Sequence, residues 1–232
     1  MTGPGRSAAE DALAGAYGKI GEVASGLTEA SAMLPSRCAG WTVQDVLYHQ
    51  LLDARRALVT FASPSGGPPD TDYVSYWRPF SPASGHPAAL GSAGAARHAR
   101  HVRIAASAYP PQMLAREWEE TSAAAVRAAR TCPHQTLATQ GRALPTADFT
   151  ATLAVEAAIH YLDMTLTLAA APEPDPASLA LVRHLLDQLA GSPLPAGWDD
   201  ATCALKGTGR LTISQADQSA LGPAAGKLPL FG

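Results

Sequence analysis

The residue types best suited to chemistry lie together between Phe149 and Met164. Positions 149, 153, 156, 160 and 164 fall on one helical stripe at spacings of three and four. Phe149, Leu153 and Met164 make that stripe apolar and turn it toward a core, with Glu156 and His160 in its middle. A carboxylate facing a core is costly unless it is paired or bound to a metal. A glutamate and a histidine four apart project side by side from consecutive turns, which is how helix bundles build internal metal sites. The pair also fits a plainer role, with Glu156 solvated or salt-bridged at the edge of the stripe and His160 a hydrogen-bonded core histidine.

His49, three residues after Val46 in another helical stretch, offers a third donor. If both helices face one core, His49, Glu156 and His160 converge. Two imidazoles and a carboxylate suit Zn²⁺ and leave a fourth position open, as in catalytic rather than structural zinc sites. Fe²⁺ or Ni²⁺ accept the same donors. Asp163 can orient a ligand imidazole, or it can cap or solvate its own helix. Arg210 follows Gly207 and Gly209 and can pair a substrate carboxylate bidentately, or lie on the surface. Tyr73, Tyr76, Trp77 and Arg78 can line a pocket or simply cover one end of the molecule. His98 and His101 form a rival metal pair, but Arg97 and Arg100 beside them oppose a bound cation. Gly207-Thr208-Gly209 lacks the third glycine and the βα context of a dinucleotide loop. Cys38, Cys132 and Cys203 are far apart without a CxxC pair, which excludes a disulfide framework or cysteine-rich zinc site. They are expected to be buried structural thiols.

These side chains need elements to hold them. Residues 8–34 read as a first helix, with Leu13, Tyr17, Ile20, Val23 and Leu27 near helical spacing and Pro35 beyond. A second starts at Thr42, where an acidic residue three positions on resembles a capping box, and stops before Pro64. Residues 63–88, rich in Pro, Gly and Ser, form a long connection, and one of that length is usually functional or mobile. Residues 89–131 read as a kinked helix or two in series, interrupted at Pro110-Pro111. After a loop, Thr146 is expected to cap a helix from Ala147 to about Ala170. The prolines at 172, 174 and 176 mark a boundary. A helix over 178–190 follows, then strand-like runs at 201–205 and 211–213, then a short helix capped by Ser214 with Asp217 three residues later. The expected domains are 1–172 and 173–232.

The 232 residues are 47% hydrophobic, 16% charged and 6% aromatic, and 48 are alanine. Such a chain has ample apolar content for a core and favours helix. A net charge of −3 offers no electrostatic footprint for nucleic acid or an anionic membrane. No stretch approaches a membrane span and Met1–Ser7 has no signal-like apolar run, so a cytoplasmic protein is expected, as a monomer or small homo-oligomer.

Gly40-Trp41-Thr42-Val43-Gln44-Asp45-Val46-Leu47-x-His49, with Val155-Glu156-Ala-Ala-x-His160-x-Leu162-Asp163, resembles the DinB-like metalloenzymes. The nearest resemblance is to the mycothiol-dependent maleylpyruvate isomerase family. Leu205-x-Gly207-Thr-Gly209-Arg210 and the terminal Leu228-Pro-Leu-Phe-Gly232 look like that family's C-terminal domain. The resemblance implies a mainly α fold, a four-helix bundle followed by a small C-terminal α/β (α+β) domain. It also implies His49, Glu156 and His160 as zinc ligands, an arginine at 210 facing the site, and mycothiol as thiol cosubstrate. The expected reaction is thiol addition to a small electrophile, giving cis–trans isomerisation or S-transfer. The long 63–88 connection is idiosyncratic and identifies no maleylpyruvate pocket. A non-catalytic binding protein and a thiol-independent metal hydrolase remain the alternatives.

Overall fold

The structure, a computed structural model, describes residues 3–82 and 91–231. Four long helices form the frame: α1 (Arg6–Ser25), α3 (Val43–Phe61), α5 (Pro111–Thr131) and α6 (Thr146–Met164). They close a ring in which α1 packs on α6, α6 on α3, α3 on α5 and α5 on α1. On α1 the buried stripe has the expected period and runs through Ala9, Leu13, Ala16, Tyr17, Ile20 and Val23, whereas α6 is buried on nearly every side. The expected four-helix bundle is therefore present.

Helix ends follow local chemistry. The single helix expected over 8–34 is two, because α1 ends at Gly26 and Thr28 opens the short α2 (Glu29–Ala32) through a capping box with Ser31. Thr42 opens α3 as expected: its hydroxyl accepts from the Asp45 N–H at 3.2 Å, and the Asp45 carboxylate accepts from the Thr42 N–H at 2.8 Å. The stretch around Pro110-Pro111 separates α4 (Gly91–Ala106) from α5, so two helices in series is the outcome. Residues 83–90, the end of the long connection and the expected start of that helix, lie outside the described residues.

Two expectations fail at α6. Thr146 does not cap it; its hydroxyl donates to the His134 carbonyl at 2.6 Å, and the residue is the first of the helix. The helix also ends at Met164 rather than near 170. Thr165–Thr167 tighten into a 3-10 turn, with the Thr165 hydroxyl donating back to the Tyr161 carbonyl at 3.0 Å.

The small sheet is not where the sequence suggested. It is a hairpin, β1 (Thr136–Thr139) and β2 (Arg142–Pro145), antiparallel with Thr139 opposite Arg142. Gln140 and Gly141 both have positive φ, as a two-residue turn matched to strand twist requires. Residues 201–205, read as a strand, belong instead to the helix α8 (Asp200–Gly207). Asp199 caps it by accepting from the Thr202 N–H at 2.6 Å, and Cys203, Ala204 and Gly207 form its buried face. Residues 211–213 make no ladder among the described residues. The tail is α7 (Pro176–Ala190), α8 and α9 (Gln215–Leu221), the last opened as expected by the Ser214–Asp217 capping box. A mainly helical class with a small two-stranded sheet stands; the strands precede α6 rather than following α7. The α7 helix packs on α6 and α1, which brings the tail against the bundle. No helix among the described residues is long and apolar enough to cross a membrane.

Candidate metal centre

The α3 and α6 helices meet along their inner faces, and their polar residues share one space. His49 Nε2 lies 3.6 Å from Glu156 Oε1, and His160 Nε2 lies 3.4 Å from the same oxygen. The donor atoms of His49, Glu156 and His160 all fall within 4.8 Å of one another. A tetrahedral shell with metal–donor lengths of about 2.0–2.1 Å places its donors about 3.3–3.4 Å apart, so the separations fit such an ion.

The next layer strengthens the fit. His160 Nδ1 sits 2.9 Å from Asp163 Oδ2. Asp163 is fully buried and receives two bonds from Arg210, Nε to Oδ1 at 2.7 Å and Nη2 to Oδ2 at 3.0 Å. Cys38 Sγ adds a weak donation to Oδ2 at 3.3 Å. With Nδ1–H of His160 committed to Asp163, its Nε2 faces Glu156 and His49. Three acceptor atoms converging in a half-buried site favour a proton or a cation among them. On the far side, His49 Nδ1 lies 3.4 Å from His98 Nε2 on α4, and the Trp41 ring packs edge-on against His49.

The ionisation pattern expresses the same charges. Burial works against ionised Glu156, but hydrogen bonds from His160 and His49 hold its carboxyl well below the usual range. Burial likewise opposes charge on His160, and hydrogen bonds to Asp163, Cys38 and Glu156 outweigh it, pushing its pKa well above normal. Asp163 is held low despite burial by His160 and Arg210. His98 is held below its usual value by burial and by His49 beside it. The anionic surroundings that draw a proton to His160 draw a cation equally.

The sequence-derived residues are therefore largely assembled. His49, Glu156 and His160 come together, and Asp163 lies against His160. Arg210 reaches the site, but the carboxylate it clasps is Asp163. Of the rival pair, His98 joins the cluster through His49, whereas His101 is exposed. Of the loop aromatics, Tyr76 and Trp77 face the cavity beside the trio, together with Phe80, whereas Arg78 does not. Tyr73 is buried elsewhere, its hydroxyl donating to the Leu181 carbonyl and its N–H to Asp148.

Three participants were missed. Asp53, one turn beyond His49, puts Oδ2 3.4 Å from His49 Nε2 and is itself 3.7 Å from Arg56. Its i,i+4 spacing was readable. Cys38 was expected to be buried; it is half-buried and reaches Asp163 because the Arg37 N–H donates to the Asp163 carbonyl at 3.1 Å. Arg142 enters the cavity from the hairpin. Neither of the last two has a sequence signal, because each depends on distant segments meeting.

The cavity holds about 710 Å³, within the range of small-molecule sites. The family model for the mycothiol maleylpyruvate isomerase N-terminal domain matches residues 13–165, a span that contains the trio and Asp163 but not Arg210. No curated protein matches the chain. Among solved structures, the crystal structure of the mycothiol-dependent maleylpyruvate isomerase is similar, with a TM-score of 0.51 and 16% identity. The match covers 82% of this chain and 72% of that one. At that identity the likeness is one of fold.

Proposed function

The chain belongs to the mycothiol maleylpyruvate isomerase N-terminal domain family, and from that premise we propose that it is a zinc enzyme. It uses mycothiol as thiol cosubstrate and adds it to a small electrophile. His49, Glu156 and His160 would hold the ion. When bound, the ion supplies the positive charge that depresses a thiol pKa, so that the thiol reacts as thiolate at neutral pH.

The chain's own residues do the rest. Asp163 keeps the His160 proton on Nδ1, so Nε2 is free to donate its lone pair. Arg210 holds Asp163 ionised and fixed. Addition of the thiolate to a conjugated cis double bond leaves a single bond that rotates, and elimination returns the thiol and the trans isomer. With a leaving group on the electrophile, the same nucleophile displaces it and a mycothiol conjugate results. The reading rests chiefly on three acceptor atoms converging while Asp163 and Arg210 fix one of their imidazoles.

Residues 1–172 and 173–232 are proposed as two domains, supported by the prolines at the junction and by a family match that ends at 165. Arg210 makes the second part a contributor to the site of the first.

The test is incubation of the zinc-loaded protein with maleylpyruvate, and separately with a leaving-group electrophile, each with and without mycothiol. The expected result is product in at least one pair, only when mycothiol is present. Turnover without thiol, or no product in any arm, contradicts the reading.

A further inference from the structure

The cavity holds charged groups that the trio does not explain. Glu156 and Asp53 are its acidic groups, beside the two imidazoles. Three arginines line it as well: Arg210, which is committed to Asp163, the exposed Arg56, and Arg142. Arg56 lies 3.7 Å from Asp53. Arg142 has no ion-pair partner among the described residues. Its Nη1 donates to the Tyr76 carbonyl at 3.2 Å, and its guanidinium lies over the Tyr76 ring, 5.0 Å from the centroid. Stacking and one backbone bond fix the fork in place and leave its other N–H groups for a ligand.

Much of the remaining lining is aromatic. Trp77 packs on Phe231 with centroids 4.6 Å apart and on Phe80 at 5.9 Å, and Phe149 faces the same space. These rings come from the long connection, the C-terminal segment and α6. They converge although no helical repeat places them together. A short diacid would leave these rings uncovered and set a second carboxylate near Glu156 and Asp53.

We propose that the electrophile taken by this site has a planar, apolar, aromatic-type body and a carboxylate remote from its reacting carbon. The body lies against Trp77, Phe80 and Phe231, and the carboxylate meets Arg142. This rests on the reading that thiol addition takes place at the trio, and it names the substrate class for that reaction.

Binding to the zinc-loaded protein without thiol tests it by calorimetry, with 3-phenylpropanoate, its neutral amide 3-phenylpropanamide, and succinate as unreactive probes. The expected order is 3-phenylpropanoate tighter than either of the others by about tenfold, the scale set by one well-placed contact. Arg142→Gln should bring the acid down to the level of the amide and leave the amide unchanged. Phe80→Ala should weaken both aromatic probes alike and leave succinate unchanged. Unaltered zinc affinity and circular dichroism show that each variant is folded. Succinate binding as tightly as 3-phenylpropanoate, or an acid–amide difference that survives Arg142→Gln, overturns the proposal. So does mutual exclusion of mycothiol and 3-phenylpropanoate, which would give the aromatic wall to the sugar face of the thiol. The two readings fail separately: mycothiol-dependent turnover of maleylpyruvate with no 3-phenylpropanoate binding sinks the substrate class alone. The probe order holding while no arm shows thiol-dependent product sinks the reaction.

Discussion

On one side of the cavity, α3 and α6 present His49, Asp53, Glu156 and His160 from successive turns of two packed helices. On the other, Tyr76, Trp77 and Phe80 come from a connection that includes a short 3-10 turn, Arg142 from a hairpin, and Arg210 and Phe231 from the tail. The helical side is held by continuous backbone ladders inside the bundle. The loop side is pinned at single points. The Asp70 and Thr71 N–H groups donate to the Ala143 carbonyl, the Tyr73 N–H to Asp148, and the Leu230 N–H to the Gly207 carbonyl. Helix spacing fixes donor positions to a fraction of an ångström, whereas loop residues can change without disturbing the frame. On the proposed reading the metal donors thus come from the helices, with Arg210 supporting one of them from the tail, and the rings that would face substrate come mostly from the loops.

The largest break in this division is removal of a donor. His160→Ala should abolish stoichiometric zinc binding and reduce thiol-dependent turnover to the metal-free background. That exceeds the 10–100-fold, roughly, that loss of an outer-layer partner costs. Metal analysis beside a turnover assay checks it. Next comes the residue that joins the two sides. Asp163→Ala leaves the half-buried Arg210 without its carboxylate and His160 without its Nδ1 partner. Breaking such a buried pair costs about 3–5 kcal/mol, readable by urea denaturation. Zinc affinity should fall with it.

A smaller effect is expected on the loop side alone. Gly209 has φ +72, and a Cβ there would lie 3.0 Å from Pro229 Cβ. Gly209→Ala should cost about 1–2 kcal/mol for the left-handed backbone. Zinc affinity should fall less than in Asp163→Ala, because Gly209 touches the trio only through its neighbour Arg210 and Asp163. A large loss of zinc binding in this variant would blur the two-sided division.

The smallest effect is one of pH. Burial pushes the Asp148 carboxyl up, and the Tyr73 N–H it accepts only partly offsets this. A carboxyl whose folded pKa lies above its unfolded value of about 3.9 favours folding when protonated. Its contribution is present at low pH and is lost as pH rises through the folded value. Stability of the wild-type protein should therefore gain relative to Asp148→Asn as pH falls from 7 toward the unfolded value of about 3.9. Paired denaturation curves in which the two lines run parallel would remove Asp148 as a titrating link between loop and helix.

The same division governs what was legible in the sequence. Glu156 and His160 stood out because an apolar stripe of period 3.6 surrounds them, and Thr42 and Asp45 announced the start of the helix that carries His49. Those are local signals. The two tail strands were misread because short apolar runs at 201–205 fit helix and strand equally, and Asp199 as a cap decided the matter. The hairpin was missed although Gln140-Gly141 is a turn signal, since each strand has only four residues. Cys38, Arg142 and the pairing of Arg210 with Asp163 were not legible, because each requires segments many residues apart to meet.

Cobalt titration of the metal-free protein tests the central claim most directly. One equivalent of Co²⁺ should bind with tetrahedral visible absorption, and a new sulfur-to-metal charge-transfer band should appear when mycothiol is added. His49→Ala, Glu156→Ala and His160→Ala should each abolish both signals. Weak binding above one equivalent, or cobalt spectra unchanged in those three variants, would contradict it.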